Sequence, residues 1–290
     1  MKVEGIVPAA LTPFGRDGKV DLHRFEKHLQ DLYAAGVNGV MVGGTAGEWY
    51  SLTVDEREAL AEVAVEVSHN RGKTLVQVGC LYVQDAIRLA NHAARIGADA
   101  VSSLPPFAAR FHDTEIRNYF ERVSSAAGLP SFIYYFPALT GGTYSDSFFT
   151  ELRRLPLLSG CKFTHSNLFD LSALIESGWS VLNGYDPNLS SALMMGASGA
   201  IGAYHNVLPC EAVGIYKACI SGDIRLADQL QREMNRVIRI VRKYRLIPAL
   251  KFIMGMRNEH FGVMREPWLP LSKDEQRQIA KEMECRQQTC

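Results

Sequence analysis

Short apolar runs alternate with longer segments whose apolar residues recur every three or four positions, from residue 5 almost to residue 206. Runs of this length read as strands, and the longer periodic segments as amphipathic helices. The strand-like runs number eight: GIVPAALTPF (5–14), GVNGVMVGG (36–44), TLVQVGC (74–80), ADAVSSLPP (98–106), PSFIYYFP (130–137), LSGCKFTH (158–165), WSVLNGYD (179–186) and GAIGAYHN (199–206). Each is nearly continuous in apolar character, as expected of parallel strands covered on both faces.

The intervening segments are helical in pattern. DLHRFEKHLQDLYAAG places Leu22, Phe25, Leu29 and Leu32 on one face, and DAIRLANHAARIGA does the same with Ile87, Leu89, Ala93 and Ile96. Thr53 and Glu56 form a capping-box pattern, and Gly36, Gly97 and Gly128 stand where helices should stop. Eight strand–helix alternations predict an α/β fold, a (β/α)8 TIM barrel over residues 1–207, in preference to an open doubly wound sheet. Residues 208–290 carry helical patterns at 209–220, 223–243 and, after a Ser272/Glu275 capping signal, 273–285. They read as a C-terminal helical extension packed on the barrel or on a sister subunit.

Composition narrows the function. The chain has 290 residues, 47% hydrophobic, with 31 basic and 31 acidic side chains and a net charge of zero, so nothing recommends nucleic acid or an anionic membrane surface as partner. No apolar run approaches the ~18 residues of a membrane span and the amino terminus lacks a signal-peptide core, so a cytoplasmic location is expected. The six cysteines (80, 161, 210, 219, 285 and 290) show no CxxC and no metal-ligand spacing with histidine. They read as small apolar fillers and reduced thiols, and no metal site is expected. A small-molecule substrate is the default.

In a barrel the active face is built from the carboxy ends of the strands and the loops after them. Lys162, in SGCKFTHSN, falls at the end of the sixth strand, where an ammonium loses hydration. Such a lysine is paired with an acid, or reaches for the rim, or is at work: among apolar walls it sheds its proton more readily, and the free amine attacks a carbonyl. Thr45, Tyr134, Asp186 and Asn206 fall at equivalent strand ends and should converge on the same mouth. GGTAGE (43–48) places small residues at a strand-to-helix turn, where backbone amides can hold a carboxylate. Tyr134 is a phenol on a strand of core residues, either hydrogen-bonded within the core or placed to move a proton for a neighbouring amine.

The segments LTPF (11–14), GGTAGEWYSLTVDER (43–57), YYFPALTGG (134–142), GCKFTHSN (160–167) and NGYDPNLSSALMMGASGAIGAYHN (183–206) together resemble the superfamily of dihydrodipicolinate synthase and N-acetylneuraminate lyase, the pyruvate-dependent class I aldolases. The resemblance covers essentially the whole chain. It implies a Schiff base between Lys162 and pyruvate, with Tyr134 as proton shuttle, Thr45 beside it and the Thr45/Ala46 amides on the carboxylate. It also implies a homotetramer, a keto acid substrate, and no cofactor beyond the covalent imine.

The synthases carry an arginine where Leu139 stands, which argues against lysine biosynthesis. PALTG, NGYD and the Lys162–Thr164 pair are closer to the sialic acid lyases and the 2-keto-3-deoxy sugar acid aldolases. Thr164, Gly184, Asp186 and Ala203 are then substrate-binding positions, with His165 and His205 as further candidates for hydroxyls or a carboxylate. Pro187 replaces a glutamate that contacts the sugar tail, and Ala203 a serine. Ala46 replaces a threonine, while Ala108 and Ala109 stand where many relatives place tyrosines, one of them in a proton relay from a neighbouring subunit. A lyase giving pyruvate plus an aldehyde is the leading reading. A dehydratase, deaminase or synthase-type condensation would use the same imine, and a non-catalytic keto-acid-binding protein is the alternative from a different class.

Overall fold

The computed structural model describes residues 3–257, 261–262 and 264–287, with side chains described to residue 284. Cys285 and Cys290 lie outside the described side chains. Eight parallel strands run β1 (Gly5–Pro8), β2 (Gly39–Val42), β3 (Lys73–Gln77), β4 (Ala100–Ser103), β5 (Ser131–Tyr135), β6 (Leu158–Phe163), β7 (Ser180–Asn183) and β8 (Gly199–Gly202). Their order around the sheet is β1-β8-β7-β6-β5-β4-β3-β2. The last seam, between β1 and β2, is drawn together just past β1: Ala9 bridges Met41, and the Ala10 N–H donates to the Met41 carbonyl at 2.9 Å. The result is a nearly closed TIM barrel.

The strands are almost wholly buried, as covering on both faces requires. They are shorter than the apolar runs that announce them. The first ends at Pro8 instead of residue 14, and the fifth at Tyr135, before Pro137 opens a short helix. The excess residues turn over as loops and single helical turns at the carboxy ends, which is how apolar sequence comes to line a mouth rather than a sheet.

Between the strands the helices start and stop as their local chemistry dictates. Thr53 and Glu56 make the reciprocal capping box of helix Val54–Ser68, and Gly36, Gly97 and Gly128 take positive φ just beyond helix ends. In helix Leu22–Ala34, Phe25, Leu29 and Leu32 are buried, whereas Leu22 at the first turn is exposed. Beyond β8, helix Pro209–Ser221 packs on β1, and helices Ile224–Val241, Leu246–Met256 and Lys273–Gln287 follow. Leu246–Met256 has no counterpart among the helical patterns read from sequence, because its face is apolar nearly all round and carries no polar stripe to set a period. Among the described residues no helix is long and apolar enough to cross a membrane.

Candidate active site

Parallel register places Tyr134 of β5 directly beside Lys162 of β6. Both are 3% exposed. The Lys162 Nζ sits 3.7 Å from the centre of the Tyr134 ring and 3.6 Å from the Met41 sulfur. Among the described residues no carboxylate lies within ion-pair distance of it, so the acid-paired alternative is excluded. A π-face and a thioether hold an amine without sequestering its lone pair in a strong bond.

The Tyr134 hydroxyl donates to Thr45 Oγ1 at 3.3 Å, and its ring stacks on Phe136. Thr45 belongs to the GGTAGE turn, which approaches the chain just past β1 so closely that Gly47 has no room for a side chain: a Cβ there would lie 2.9 Å from the Ala10 carbonyl. The Thr12 hydroxyl donates to the Gly47 carbonyl at 2.7 Å and fixes this approach. Within the turn the Glu48 N–H donates to the Thr45 carbonyl and the Trp49 N–H to that of Gly44. The Thr45 and Ala46 N–H groups find no acceptor among the described residues, which leaves two amide donors at the site.

Across the barrel, Thr164 and Gly184 are a fitted pair, since any Cβ on Gly184 would collide with the Thr164 hydroxyl. That hydroxyl has no partner among the described residues. Asp186 is buried, its Oδ2 accepts from the Tyr204 N–H at 3.2 Å, and its Oδ1 lies 3.1 Å from His205 Nε2. Gly202 makes room for this contact, as a Cβ there would strike both side chains.

These groups line one cavity of about 790 Å³. Lys162, Tyr134, Thr45, Ala46, Thr164, His165, Gly184, Asp186 and Ala203 all contribute to its wall. His165 stands half-buried with its Nδ1 accepting from the Asn167 N–H, which shapes the loop after β6. His205 does not reach the cavity: it is fully buried behind Asp186. The single helical turn Tyr204–Asn206 swings it inward, so it can act on a ligand only through the aspartate. Asn206 also turns away from the mouth. Its NH2 donates to the Ala9 and Ala203 carbonyls and its Oδ1 accepts from the Leu11 N–H, so it ties the end of β8 to the chain after β1. Ala108 and Ala109 lie on the exposed loop after β4, off the cavity wall.

Beyond the polar floor the walls change character. Phe136, Leu139 and Pro187 come from the barrel loops, and Val241, Tyr244, Leu246 and Trp268 from the extension. The extension's contribution was invisible in sequence, because nothing local in a helix tells which strand end it covers. Arg242, an exposed side chain at the rim, is the one cation besides Lys162 on the described wall, with the half-buried imidazole of His165 as a further titratable group.

The dihydrodipicolinate synthetase family model matches residues 2–286. The chain is 34% identical over 271 residues to an N-acetylneuraminate lyase of Rhizobium meliloti (strain 1021), covering 92% of this chain and 90% of that one. Among solved structures it is similar to the Clostridium difficile protein CdNal in complex with mannosamine (25% identity, TM-score 0.94, 99% of this chain and 100% of that one). It is also similar to YagE, a prophage protein of the dihydrodipicolinic acid synthase family from E. coli K12, in complex with pyruvate (27% identity, TM-score 0.92, 98% of each chain). A buried strand lysine beside a buried phenol, full-length coverage by the family and relatives that are lyases all lead to one assignment. The chain belongs to the dihydrodipicolinate synthetase family and is a class I pyruvate-dependent aldolase, a carbon–carbon lyase.

Proposed function

We propose that Lys162 forms the Schiff base with pyruvate and that the substrate is a 2-keto-3-deoxy sugar acid or an N-acetylneuraminate-like keto acid. The observation that carries this reading is the Lys162 amine, buried at a cavity floor with no acid partner among the described residues and a phenol beside it. The amine attacks the keto carbon, the carbinolamine loses water, and the protonated imine becomes an electron sink. The carbon–carbon bond beta to the imine then breaks: its electron pair passes into the enamine, and the adjacent hydroxyl loses its proton as the aldehyde leaves. Protonation of the enamine carbon and hydrolysis release pyruvate and the free amine.

Tyr134, with its hydroxyl on Thr45, is placed to give and take these protons. The Thr45 and Ala46 N–H groups are the donors for the carboxylate, which compensates for the side-chain hydroxyl that Ala46 lacks. Thr164, Gly184, Asp186, His165 and the wall at Ala203 face the rest of the substrate. This chemistry uses the covalent imine as its only prosthetic device. The working unit is read as a homotetramer in the cytoplasm; association is supported by the exposed apolar side chains Leu81, Tyr82 and Phe111 after β3 and β4, and light scattering on the purified protein tests the stoichiometry.

The deciding experiment is borohydride reduction in the presence of pyruvate, followed by peptide mapping. An adduct confined to Lys162 supports the assignment. Folded protein that gives no adduct, or an adduct elsewhere, overturns it.

A further inference from the structure

Glu48 is the least comfortable residue of the GGTAGE turn. It adopts the left-handed conformation at φ 59 and ψ 39, which side chains other than glycine and asparagine seldom take. Its carboxylate is fully buried. A charge in that position needs a partner, and the partner comes from far along the chain: Lys251, on helix Leu246–Met256, places its equally buried Nζ against Glu48 Oε1 and 4.3 Å from the centre of the Phe14 ring. Burial pushes the Glu48 carboxyl up and the Lys251 ammonium down, and each partner opposes the shift of the other.

A second cation from the extension acts a few residues later. The Arg265 guanidinium donates to the Ser51 carbonyl at 2.8 Å and to Glu56 at 2.7 and 2.5 Å, and lies 4.5 Å from the same Phe14 ring. Segment 48–56 is therefore held at both ends by the extension: Lys251 at the turn, Arg265 at the start of the following helix. Only the Lys251 contact falls within the turn itself, on Glu48, two residues beyond Ala46 and hydrogen-bonded through its own N–H to the Thr45 carbonyl.

We infer that Lys251 is a positioning residue for the reaction: through its ion pair with Glu48 it holds the strained turn so that the Thr45 and Ala46 N–H groups converge on the pyruvyl carboxylate. This rests on the proposed pyruvate site and adds to it the part played by the C-terminal extension. The Lys162 amine on β6 and the Tyr134 ring on β5 are held by the strands, and only the Tyr134 hydroxyl, through Thr45 Oγ1, touches the clamped turn. Loss of Lys251 should therefore weaken carboxylate capture more than it slows the chemistry.

The test is pyruvate titration of borohydride trapping, in the wild type, in Lys251→Met and in the double variant Glu48→Gln/Lys251→Met, with circular dichroism to establish folding. Lys251→Met should raise the half-saturating pyruvate concentration roughly tenfold or more while leaving the trapping rate at saturation within about threefold, the split expected when binding alone is lost. The double variant carries no stranded buried charge. It should fold and show a half-saturation between those of the wild type and the single variant.

An unchanged half-saturation in folded Lys251→Met overturns the inference, as does a loss seen only in the saturated rate. Where the single variant does not fold, the double variant decides: a half-saturation at least about threefold above wild type supports the clamp, and a wild-type value overturns it. Absence of trapping in the wild type would instead bring down the Schiff-base assignment itself, so the two failures are distinguishable.

Discussion

The floor and the outer wall of the cavity are built by opposite means. At the floor every polar group is held by secondary structure or by another buried group: Lys162 and Tyr134 by adjacent strands in register, Thr45 by a turn pinned through Gly47 and Thr12, Thr164 by the bare backbone of Gly184. The outer wall is apolar and mostly made of loop and extension side chains, Leu139, Pro187, Tyr244, Leu246 and Trp268 among them. The contrast teaches that the reaction and the choice of aldehyde are separable. On the proposed reading the floor serves the imine with pyruvate, whereas the wall meets whatever the substrate carries beyond its reacting carbons, and meets it with few hydrogen-bond partners.

The largest effect that could break this division is at Lys162. Lys162→Ala should reduce turnover to background and abolish borohydride trapping, while the cavity wall still admits ligand. Turnover surviving at more than a trace would mean that the floor does not act through an imine. Next comes Tyr134→Phe, which keeps the ring beneath the amine and removes only the hydroxyl that reaches Thr45. It should lower kcat by roughly 100-fold or more if the phenol moves the protons. A wild-type kcat would transfer that role to water or to Thr45.

A smaller effect sharpens the outer half of the comparison. Ala203→Ser and Pro187→Glu each add one polar group to the wall, and each new hydrogen bond to a sugar hydroxyl is worth about 1 kcal/mol, roughly a fivefold gain in kcat/KM for N-acetylneuraminate cleavage. The borohydride adduct with pyruvate alone should be unaffected. If the substitutions change pyruvate trapping as strongly as sugar cleavage, floor and wall are not independent.

What the sequence made legible follows the same division. The eight strands, Lys162, Tyr134 and the turn at Thr45 could be read because each is a local pattern: an apolar run, a charge inside it, small residues after it. The strand lengths could not, since apolar residues such as Leu11 and Phe14 are buried beyond the strand as well as within it. Strand position alone predicts that His205 and Asn206 point to the mouth, and one helical turn after β8 reverses that direction. The Lys251–Glu48 contact spans the chain from the second strand's turn to the extension, a pairing that periodicity and capping chemistry do not encode.

The smallest effect on catalysis belongs to the tie that Asn206 makes between the end of β8 and the chain after β1. His28 is buried against Asn206 Oδ1 at 2.8 Å, and because that oxygen also accepts from the Leu11 N–H, the imidazole Nε2 must be the donor. Burial lowers the His28 pKa to about 4 from an ordinary 6.5. Between these values the unfolded chain binds a proton that the folded chain refuses, so stability is intact above about pH 6.5 and falls as the pH drops toward 4, by about 3 kcal/mol in all. His28→Gln keeps an N–H donor for Asn206 and removes the titration. Denaturant unfolding at pH 7 and pH 4.5 should therefore show a smaller acid loss in the variant than in the wild type, with turnover at pH 7 unchanged. Equal acid losses would mean that protonation of His28 is not what destabilises the fold in acid.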